Sequence, residues 1–237
     1  MLSLTSYPER FPTLHLTLAC LLDQSVQPDR IILWIAEGDA ASLTPAITAL
    51  EGHGLEIRTC EDLRSYKKLI PSMETFPEAY IVTADDDIYY PREWLRKLVD
   101  AAEKGVIPCH RAHRITRSSD RALRPYVEWE NDVQDARARR PSVDIVATSG
   151  AGALYAPGAL APIVTDRSVF QKLSPDSDDL WFHWCARIAG TLHKKVGGKL
   201  LLTPWQGAQE SSLWDSNEHG GNDAAIAALQ REFGYPD

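Results

Sequence analysis

The sequence predicts an α/β protein with a mostly parallel central sheet flanked by helices. Short apolar runs of strand length alternate with segments whose apolar residues recur at helical spacing, as in repeated βαβ units. Polar residues follow several of these runs, where the carboxyl ends of parallel strands form a ligand-binding crevice. The chain has 237 residues, 44% of them hydrophobic and 24% charged. This globular balance suits a single domain over residues 1–237.

The first half of the chain contains four predicted strands and three predicted helices. The strands are the apolar runs at residues 2–5, 30–35, 55–58 and 79–84. Leucines at helical spacing predict a first helix that ends near Gln24. Thr44 and Pro45 are a cap and first-turn pair for a second helix, and Pro91 opens a third. The residues expected to bury one face of the third helix are Trp94, Leu95, Leu98, Val99 and Ala102.

The second half is less regular. Residues 109–140 have weak periodicity and many arginines, which is typical of an insertion. Residues 143–148 and 199–203 have the length and apolar content of strands. Ser177 is expected to cap a helix that buries Leu180, Trp184 and Ile188, and a final helix is expected to begin at a cap formed by Asn222 or Asp223.

Composition excludes several classes of function. The net charge of −8 argues against nucleic-acid binding, which needs a basic face. No apolar segment has the length of a membrane helix, and the first residues lack the layout of a signal peptide. The four cysteines contain no C-x-x-C pair and are expected to be reduced, structural thiols. We therefore expect a soluble cytoplasmic protein that contacts a membrane peripherally, if at all.

Three aspartates, Asp85, Asp86 and Asp87, stand side by side directly behind the fourth predicted strand. In an extended backbone the alternation D-x-D places Asp85 and Asp87 on one side and Asp86 on the other. Carboxylates are the ligands that Mg²⁺ and Mn²⁺ prefer, with phosphate oxygens completing the shell. The aspartates thus predict a metal site for a diphosphate. The alternative is a solvated acidic turn that stabilises the start of the helix after Pro91.

Other cation and nucleotide motifs are missing. The spacing of a calcium-binding loop is absent, and neither a phosphate-binding loop nor G-x-G-x-x-G follows the first strand. Gly150 and Gly152 come too late in the chain, and their motif is too short, for a dinucleotide fingerprint. The sequence therefore favours neither a P-loop enzyme nor a dinucleotide oxidoreductase.

An ordered set of motifs resembles bacterial glycosyltransferases of the GT-A (Rossmann-like) fold, of the type that builds capsule or lipopolysaccharide O-antigen sugars. The motifs are SLTSYPER at residues 3–10, LLDQ at 21–24, SYKKL at 65–69, TADDDIYYP at 83–91, GALY at 152–155, SDDLW at 177–181 and the stretch 217–223. Together they extend over nearly the whole chain.

The resemblance implies that residues 1–108 bind a nucleotide-sugar donor and that residues 109–237 bind the acceptor. It implies metal ligation by Asp87, Asp85 and His219. The donor-binding residues implied by position are Ser6, Tyr7, Arg10, Glu37, Lys67, Lys68, Asp85 and Asp86.

Alternatives remain open for some of these residues. Tyr7 could be a turn residue before Pro8, and Asp39 could replace Glu37 at the base or ribose. The two lysines could be a solvated pair. A second histidine, His183, is a further candidate for the metal, and for both His219 and His183 the alternative is a structural role, since a lone histidine is more often structural.

The catalytic carboxylate is assigned to the pair Asp178 and Asp179, with a preference for Asp179. An inverting transfer needs a base for the acceptor hydroxyl, and the motif of the family places an acidic residue at this helix start. The alternative role of the pair is to stabilise the helix N-terminus. Trp181 and Trp184 of the same helix are expected to shield the site or to contact a sugar.

The predicted activity is therefore Mn²⁺- or Mg²⁺-dependent transfer of a sugar, from a UDP-sugar by preference, to a glycan or lipid-linked acceptor in surface polysaccharide biosynthesis. The alternatives are a sugar-phosphate nucleotidyltransferase and a non-catalytic sugar-binding protein of the same fold. The arginines of residues 111–140 would hold an anionic acceptor or meet a membrane surface, or would simply pair with surface acids.

Overall fold

The computed structural model describes residues 1–201, 203–207 and 221–235. Its main sheet has five strands in the order β3-β2-β1-β4-β8, of which the first four are parallel and β8 is antiparallel to β4. Two small sheets pair β5 with β9 and β6 with β7. The strands are β1 (Leu2–Thr5), β2 (Ile31–Ala36), β3 (Leu55–Cys60), β4 (Ile81–Ala84), β5 (Val106–Cys109), β6 (Ala112–Arg114), β7 (Ile145–Ala147), β8 (Leu154–Tyr155) and β9 (Leu192–Lys195).

Helices connect the parallel strands and flank the sheet. They are α1 (Phe11–Leu22), α2 (Pro45–Thr48), α3 (Ile70–Thr75), α4 (Trp94–Asp100), α5 (Arg167–Leu173), α6 (Asp178–Ile188) and α7 (Asn222–Phe233). Short 3₁₀ helices extend several connections, including residues 37–42 after β2 and residues 64–68 before α3. The predicted α/β architecture with a mostly parallel, flanked sheet is confirmed.

Buried side chains form two hydrophobic clusters. One joins β1, β2 and β4 to α1 and α4, with Leu14, Leu18 and Leu21 of α1 packed against the sheet. The other is built around α6 and includes Trp181 and Trp184. Burial of such side chains is the main favourable term in folding, about 1.5–3 kcal/mol for each large apolar side chain. The second cluster extends to residues 63–81 of the first half, so it holds the 3₁₀ turn at 64–68 in place.

The four predicted strands of the first half and the strand within residues 143–148 are present, with small differences at their ends. The strand predicted at 199–203 is wrong, because the described residues of that stretch have no strand structure. The late strand of the structure is instead β9, whose mixed sequence LHKK lacks a clear apolar run. Val99 of α4 is exposed, and Ala102 is exposed beyond the end of this helix, which corrects the predicted buried face.

Helix capping also differs from the prediction. Ser177 precedes α6, but its hydroxyl donates to Asn222 Oδ1 at 2.6 Å and caps no backbone amide of α6. Asn222 is the first residue of α7 and does not cap that helix, and Asp223 accepts a hydrogen bond from the Tyr126 amide. On α6 the predicted inward residue Ile188 is 39% exposed. Polar side chains at helix starts thus join distant segments.

Two further observations bear on the composition arguments. All four cysteines, Cys20, Cys60, Cys109 and Cys185, are free thiols, as expected. Within the described part of the chain, no helix has both the length and the apolar character needed to cross a membrane.

Gly152 lies where the main sheet meets α4. Its φ of 114° is a left-handed value, and a Cβ atom added there would lie 2.6 Å from the Trp94 ring. Trp94 is held on other sides, because its indole N–H donates to Ala151 O at 2.8 Å and His110 stacks on it at 5.8 Å. The ring therefore has little freedom to move away.

We expect Gly152→Ala to destabilise the protein by about 2–5 kcal/mol, the sum of backbone strain and overpacking. Urea unfolding at neutral pH measures the loss. Gly158→Ala is the matched control, because Gly158 has φ 72° but open space around its Cα, so only the strain of about 1 kcal/mol applies. Equal losses in the two variants would show that the contact with Trp94 costs nothing.

Candidate active site

The carboxyl ends of β1 and β4 bring Ser6 and Asp86 together. These strands are parallel neighbours with Leu2 opposite Val82 and Leu4 opposite Ala84. The same offset continues beyond the strands, and the Ser6 hydroxyl donates to Asp86 Oδ2 at 2.5 Å. Burial raises the pKa of Asp86 to about 7. The hydrogen bond from Ser6 opposes this rise, and the negative charges of Asp87 and Asp85 add to it. Asp86 therefore ties two strand ends together inside the protein.

Asp85 and Asp87 face the opposite way and line a cavity of about 470 Å³. The alternation predicted for the three aspartates is thus present, with Asp86 outside this lining. Asp87 Oδ2 accepts a hydrogen bond from Arg10 Nη1 at 3.0 Å, and Arg10 Nε donates to the Tyr7 hydroxyl at 2.9 Å. Arg10 and Tyr7 therefore orient Asp87 from behind.

Gly150 makes room for the Asp85 carboxylate. A Cβ atom at residue 150 would lie 1.7 Å from Asp85 Oδ2, so only glycine fits beside this carboxylate in its observed position. The backbone here is also fixed by Tyr90, whose hydroxyl donates to Gly150 O at 2.5 Å and accepts from the Asp85 amide at 2.7 Å.

Lys68 joins the two pairs of carboxylates in the cavity. Its ammonium donates to Asp85 Oδ1 at 2.8 Å and forms an ion pair with Asp178 Oδ2 at 3.5 Å. Burial alone would lower the pKa of Lys68, but Asp178 and Asp85 outweigh burial and the net pKa is raised. Tyr66, two residues before Lys68, is buried, and its hydroxyl donates a hydrogen bond to Ser174 O. This anchored residue holds Lys68 at its position. The cavity therefore contains a permanently charged ammonium.

Asp179 lies beside Asp178 at the start of α6 and also lines the cavity. Its Oδ1 accepts a hydrogen bond from the Ser149 amide at 2.8 Å, which orients the carboxylate. Burial, followed by the negative charge of Asp178, raises the pKa of Asp179 to about 6, while Lys68 and Ser149 oppose the rise. Asp179 is therefore a stronger base than an exposed aspartate, yet it is ionised at neutral pH.

Five residues predicted as site residues are brought together in this cavity, namely Lys68, Asp85, Asp87, Asp178 and Asp179. Six others do not line it. Ser6, Tyr7, Arg10 and Asp86 lie directly behind it, whereas Glu37 is exposed in the 3₁₀ helix after β2. Lys67 points elsewhere and donates to Asp62 Oδ1 at 2.5 Å. His219 lies outside the described residues.

Other side chains considered from the sequence have structural surroundings. Trp181 and Trp184 are fully buried in the core, so neither offers a face to a sugar. Their indole groups donate to backbone carbonyls at Val164 and Gly234. His183 is also buried, 3.0 Å from the Tyr235 hydroxyl, and does not line the cavity.

Several residues on the cavity wall were not singled out as site residues, although Arg111 belongs to the arginine-rich stretch expected to hold an anionic acceptor. They are Arg111, His113, Tyr126, Asn131, Asp176, Pro204 and Asn222. A two-residue alternation between Arg111 and His113, on either side of the first residue of β6, was an available signal. The others reach the cavity only through long-range packing, which no local pattern reveals.

The backbone of the aspartate segment is held by distant residues. The Thr17 hydroxyl of α1 lies 3.0 Å from Asp86 O and 3.1 Å from Ile88 O. The Trp205 amide donates to Asp87 O at 3.0 Å, and its indole donates to Thr17 Oγ1 at 2.8 Å. The position of the carboxylates therefore depends on contacts from both ends of the chain.

The donor set of the cavity suits a hard divalent cation. The described residues contain no ready cluster of three or more histidine, cysteine, aspartate or glutamate ligands. Asp85 and Asp87 nevertheless present carboxylate oxygens to the same space, and the side chain of Asp85 is 42% exposed. Such a pair fits a Mg²⁺ or Mn²⁺ ion whose other ligands are phosphate oxygens and water.

Comparison by sequence finds no matching protein-family model and no matching curated protein. Comparison by structure finds many similar chains. The S. aureus TarS fragment 1–349 in complex with UDP-GlcNAc has a TM-score of 0.54 at 8% identity, covering 97% of this chain and 66% of that one. This protein thus spans about two thirds of that fragment.

Two more structures have comparable similarity. Glucosyl-3-phosphoglycerate synthase from Mycobacterium tuberculosis, in complex with Mg²⁺ and UDP, has a TM-score of 0.52 at 16% identity over 100% of this chain and 79% of that one. 4-Diphosphocytidyl-2C-methyl-D-erythritolsynthase from Anaerococcus prevotii has a TM-score of 0.50 at 13% identity, over 92% and 96% of the two chains. At such identities the likeness establishes the fold. The protein has the GT-A type of α/β fold that TarS and glucosyl-3-phosphoglycerate synthase have.

Proposed function

We propose that this protein is a metal-dependent glycosyltransferase that moves a sugar from a nucleotide-sugar donor to an acceptor hydroxyl. One observation carries the proposal. A single cavity brings the strand-end carboxylates Asp85 and Asp87 together with the helix-start pair Asp178 and Asp179, on either side of buried Lys68. The first pair suits a metal-bound diphosphate, and the second suits the removal of a proton.

The donor is proposed to bind at the end of β4. When bound, a Mn²⁺ or Mg²⁺ ion at Asp85 and Asp87 would neutralise negative charge on the departing diphosphate. Lys68 adds a second positive charge at the same place. Behind Asp87, Arg10 and Tyr7 fix the carboxylate, and Ser6 with Asp86 fixes the loop, so these four residues support the donor site rather than line this cavity.

Asp179 is proposed as the base, with Asp178 as its partner. The Ser149 amide directs Asp179 Oδ1, and the raised pKa makes the carboxylate an effective acceptor for a hydroxyl proton. Asp178 tunes this pKa through its charge and holds Lys68. A carboxylate on the acceptor side that removes the proton during one displacement supports inversion of the sugar centre.

The finer assignments rest on resemblance. UDP is the proposed nucleotide because two structures with the same fold contain UDP or UDP-GlcNAc. A glycan or lipid-linked acceptor in capsule or lipopolysaccharide biosynthesis, at the cytoplasmic membrane face, is proposed from the sequence motifs.

A nucleotidyltransferase is the second candidate, supported by the fold similarity to the A. prevotii enzyme. Such an enzyme needs a glycine-rich, basic loop after its first strand. Here residues 6–10 contain no glycine, and Pro8–Arg10 forms a 3₁₀ turn whose arginine is committed to Asp87. A non-catalytic sugar-binding protein is the third candidate, and it leaves the Asp178–Asp179 pair without a purpose.

We expect Asp87→Ala to abolish Mn²⁺-dependent binding of UDP, because the metal loses a direct ligand. Asp179→Ala should keep this binding and lose sugar transfer, because only proton removal is affected. Calorimetric titration with UDP and a panel of sugar nucleotides, followed by assay of nucleoside diphosphate release, measures both effects. Asp62→Ala, at an exposed site away from the cavity, is the control. Release of inorganic diphosphate from a nucleoside triphosphate and sugar phosphate would establish the second candidate instead.

Adjacent lysines provide a matched test of the donor site. We expect Lys68→Met to weaken UDP binding in Mn²⁺ by about tenfold or more, the effect of losing a charge-assisted contact. Lys67→Met should change the affinity less than twofold, because Lys67 is paired with Asp62 and does not line the cavity. Urea unfolding of both variants controls for stability. Equal affinities of the two variants for UDP would show that Lys68 does not contact the donor.

The pH dependence of transfer tests the base. If Asp179 must be ionised, the rate rises with pH through a midpoint near 6. Asp178→Asn removes a neighbouring negative charge, which lowers the pKa of Asp179 and moves the midpoint to lower pH. In Asp176→Asn the midpoint should stay in place, because Asp176 pairs with Arg64. A midpoint that moves upward in Asp178→Asn would contradict the assignment.

A further inference from the structure

One part of the cavity wall, here called the basic wall, carries hydrogen-bond donors rather than carboxylates. Arg111 follows β5, His113 belongs to β6 and Asn131 lies in the loop beyond, and all three line the cavity. The proposed donor chemistry uses none of them. The remaining wall carries five aspartates, which are Asp85, Asp87, Asp176, Asp178 and Asp179. A ligand that fills the cavity therefore meets both acidic side chains and hydrogen-bond donors.

Arg111 differs from three arginines that follow it in the chain, each of which has an acidic partner. Arg114 pairs with Glu130 and Asp135, Arg117 pairs with Asp144, and Arg124 pairs with Glu128. For Arg111, by contrast, the described residues supply no ion pair and no side-chain hydrogen bond, although its side chain is half-buried. A guanidinium in this situation is an available anion site with five donors.

His113 supplies a second donor. Its Nδ1 accepts a hydrogen bond from the Asp132 amide at 3.2 Å. Burial, with a smaller contribution from Arg111, lowers its pKa to about 3, so the ring is neutral at pH 7. A neutral ring whose Nδ1 accepts must carry its proton on Nε2. Across the part of the chain that the structure describes, no group accepts from this Nε2–H.

Tyr126 connects the basic wall to the proposed base. Its ring packs edge-on against His113 at 6.0 Å and lines the cavity. Burial raises the pKa of Tyr126 to about 12. The negative charge of Asp179 adds to this rise, and the positive charge of Arg111 opposes it. Asp179 and Arg111 also line the same cavity of about 470 Å³, which is the size of a small-molecule site, so one ligand can contact both.

We propose that Arg111, with His113 and Asn131, binds a carboxylate or phosphate group of the acceptor. This inference rests on the proposed function and names the class of acceptor. The acidic group lies against Arg111 and the reacting hydroxyl faces Asp179. The carboxylates of the other wall repel the acidic group, so they favour this orientation over the reverse. The donor diphosphate is already matched by Lys68 and the metal site.

Three hexoses that differ in charge test the proposal, namely glucose, glucuronate and glucose 6-phosphate. Each is titrated calorimetrically into the protein at pH 7.5, with and without saturating UDP and Mn²⁺. We expect binding of at least one acidic hexose and at least tenfold weaker binding of glucose. Which acidic hexose binds more tightly distinguishes a carboxylate site from a phosphate site. Equal binding of all three, or of none, overturns the proposal.

Variants locate the binding. Arg111→Gln should weaken the affinity for the acidic hexose by tenfold or more, as expected for the loss of a charge-assisted pair. The affinity for UDP should be unchanged. Arg111→Lys should recover part of the loss. Arg124→Gln is the matched control, since Arg124 is paired with Glu128 outside the cavity and should behave like the wild type. Urea unfolding of each variant excludes loss of folded protein.

The results separate this proposal from the proposed function. Unchanged binding of the acidic hexose in Arg111→Gln overturns the site. A parallel loss of UDP affinity overturns the acceptor assignment, because Arg111 then belongs to the donor. If the wild type binds the acidic hexose through Arg111 but does not bind UDP or any sugar nucleotide, the anion site stands and the proposed function fails.

Discussion

The ion pairs of Lys68 with Asp85 and Asp178 are the interaction on which the candidate site depends. They join the end of β4, where Val82 and Ala84 belong to the first hydrophobic cluster, to the start of α6, whose buried residues belong to the second. Removing Lys68 or Asp178, the buried partners, costs about 3–5 kcal/mol, because the charge that remains stays buried. The ammonium therefore sets the separation between the two carboxylate pairs, and that separation determines the chemistry available.

The remainder of the site follows from the register of the sheet. Parallel pairing of β1 with β4 places Ser6 beside Asp86, which turns Asp85 and Asp87 toward the cavity. Gly150 then leaves room for the Asp85 carboxylate in its observed position, which a Cβ atom at residue 150 would occupy. The acceptor side is built differently, from loops in which Arg114, Arg117 and Arg124 pair with acids, whereas Arg111 lines the cavity without such a partner among the described residues.

Much of this arrangement is visible in the sequence, and the part that is not has a physical reason. Apolar runs locate β1 to β4, and the D-x-D alternation predicts which aspartates share a face. Local patterns fail where a side chain has a distant partner. Ser177 resembles a helix cap but donates to Asn222, and Trp181 resembles a sugar platform but lies in the core. Arg111 and His113 could be identified only from the fold, because tertiary packing decides which arginine without an acidic partner lines the cavity.

The bond between Ser6 and Asp86 affects how a mutational scan of this region should be interpreted. A scan that scores activity alone would rank three neighbouring aspartates as equally essential. Two of them face the cavity, whereas Asp86 is buried and its hydrogen bond with Ser6 connects two adjacent strand ends. Sequence motifs that count acidic residues therefore overstate the number of ligands, and a search for related proteins would do better to require the serine that partners the middle aspartate.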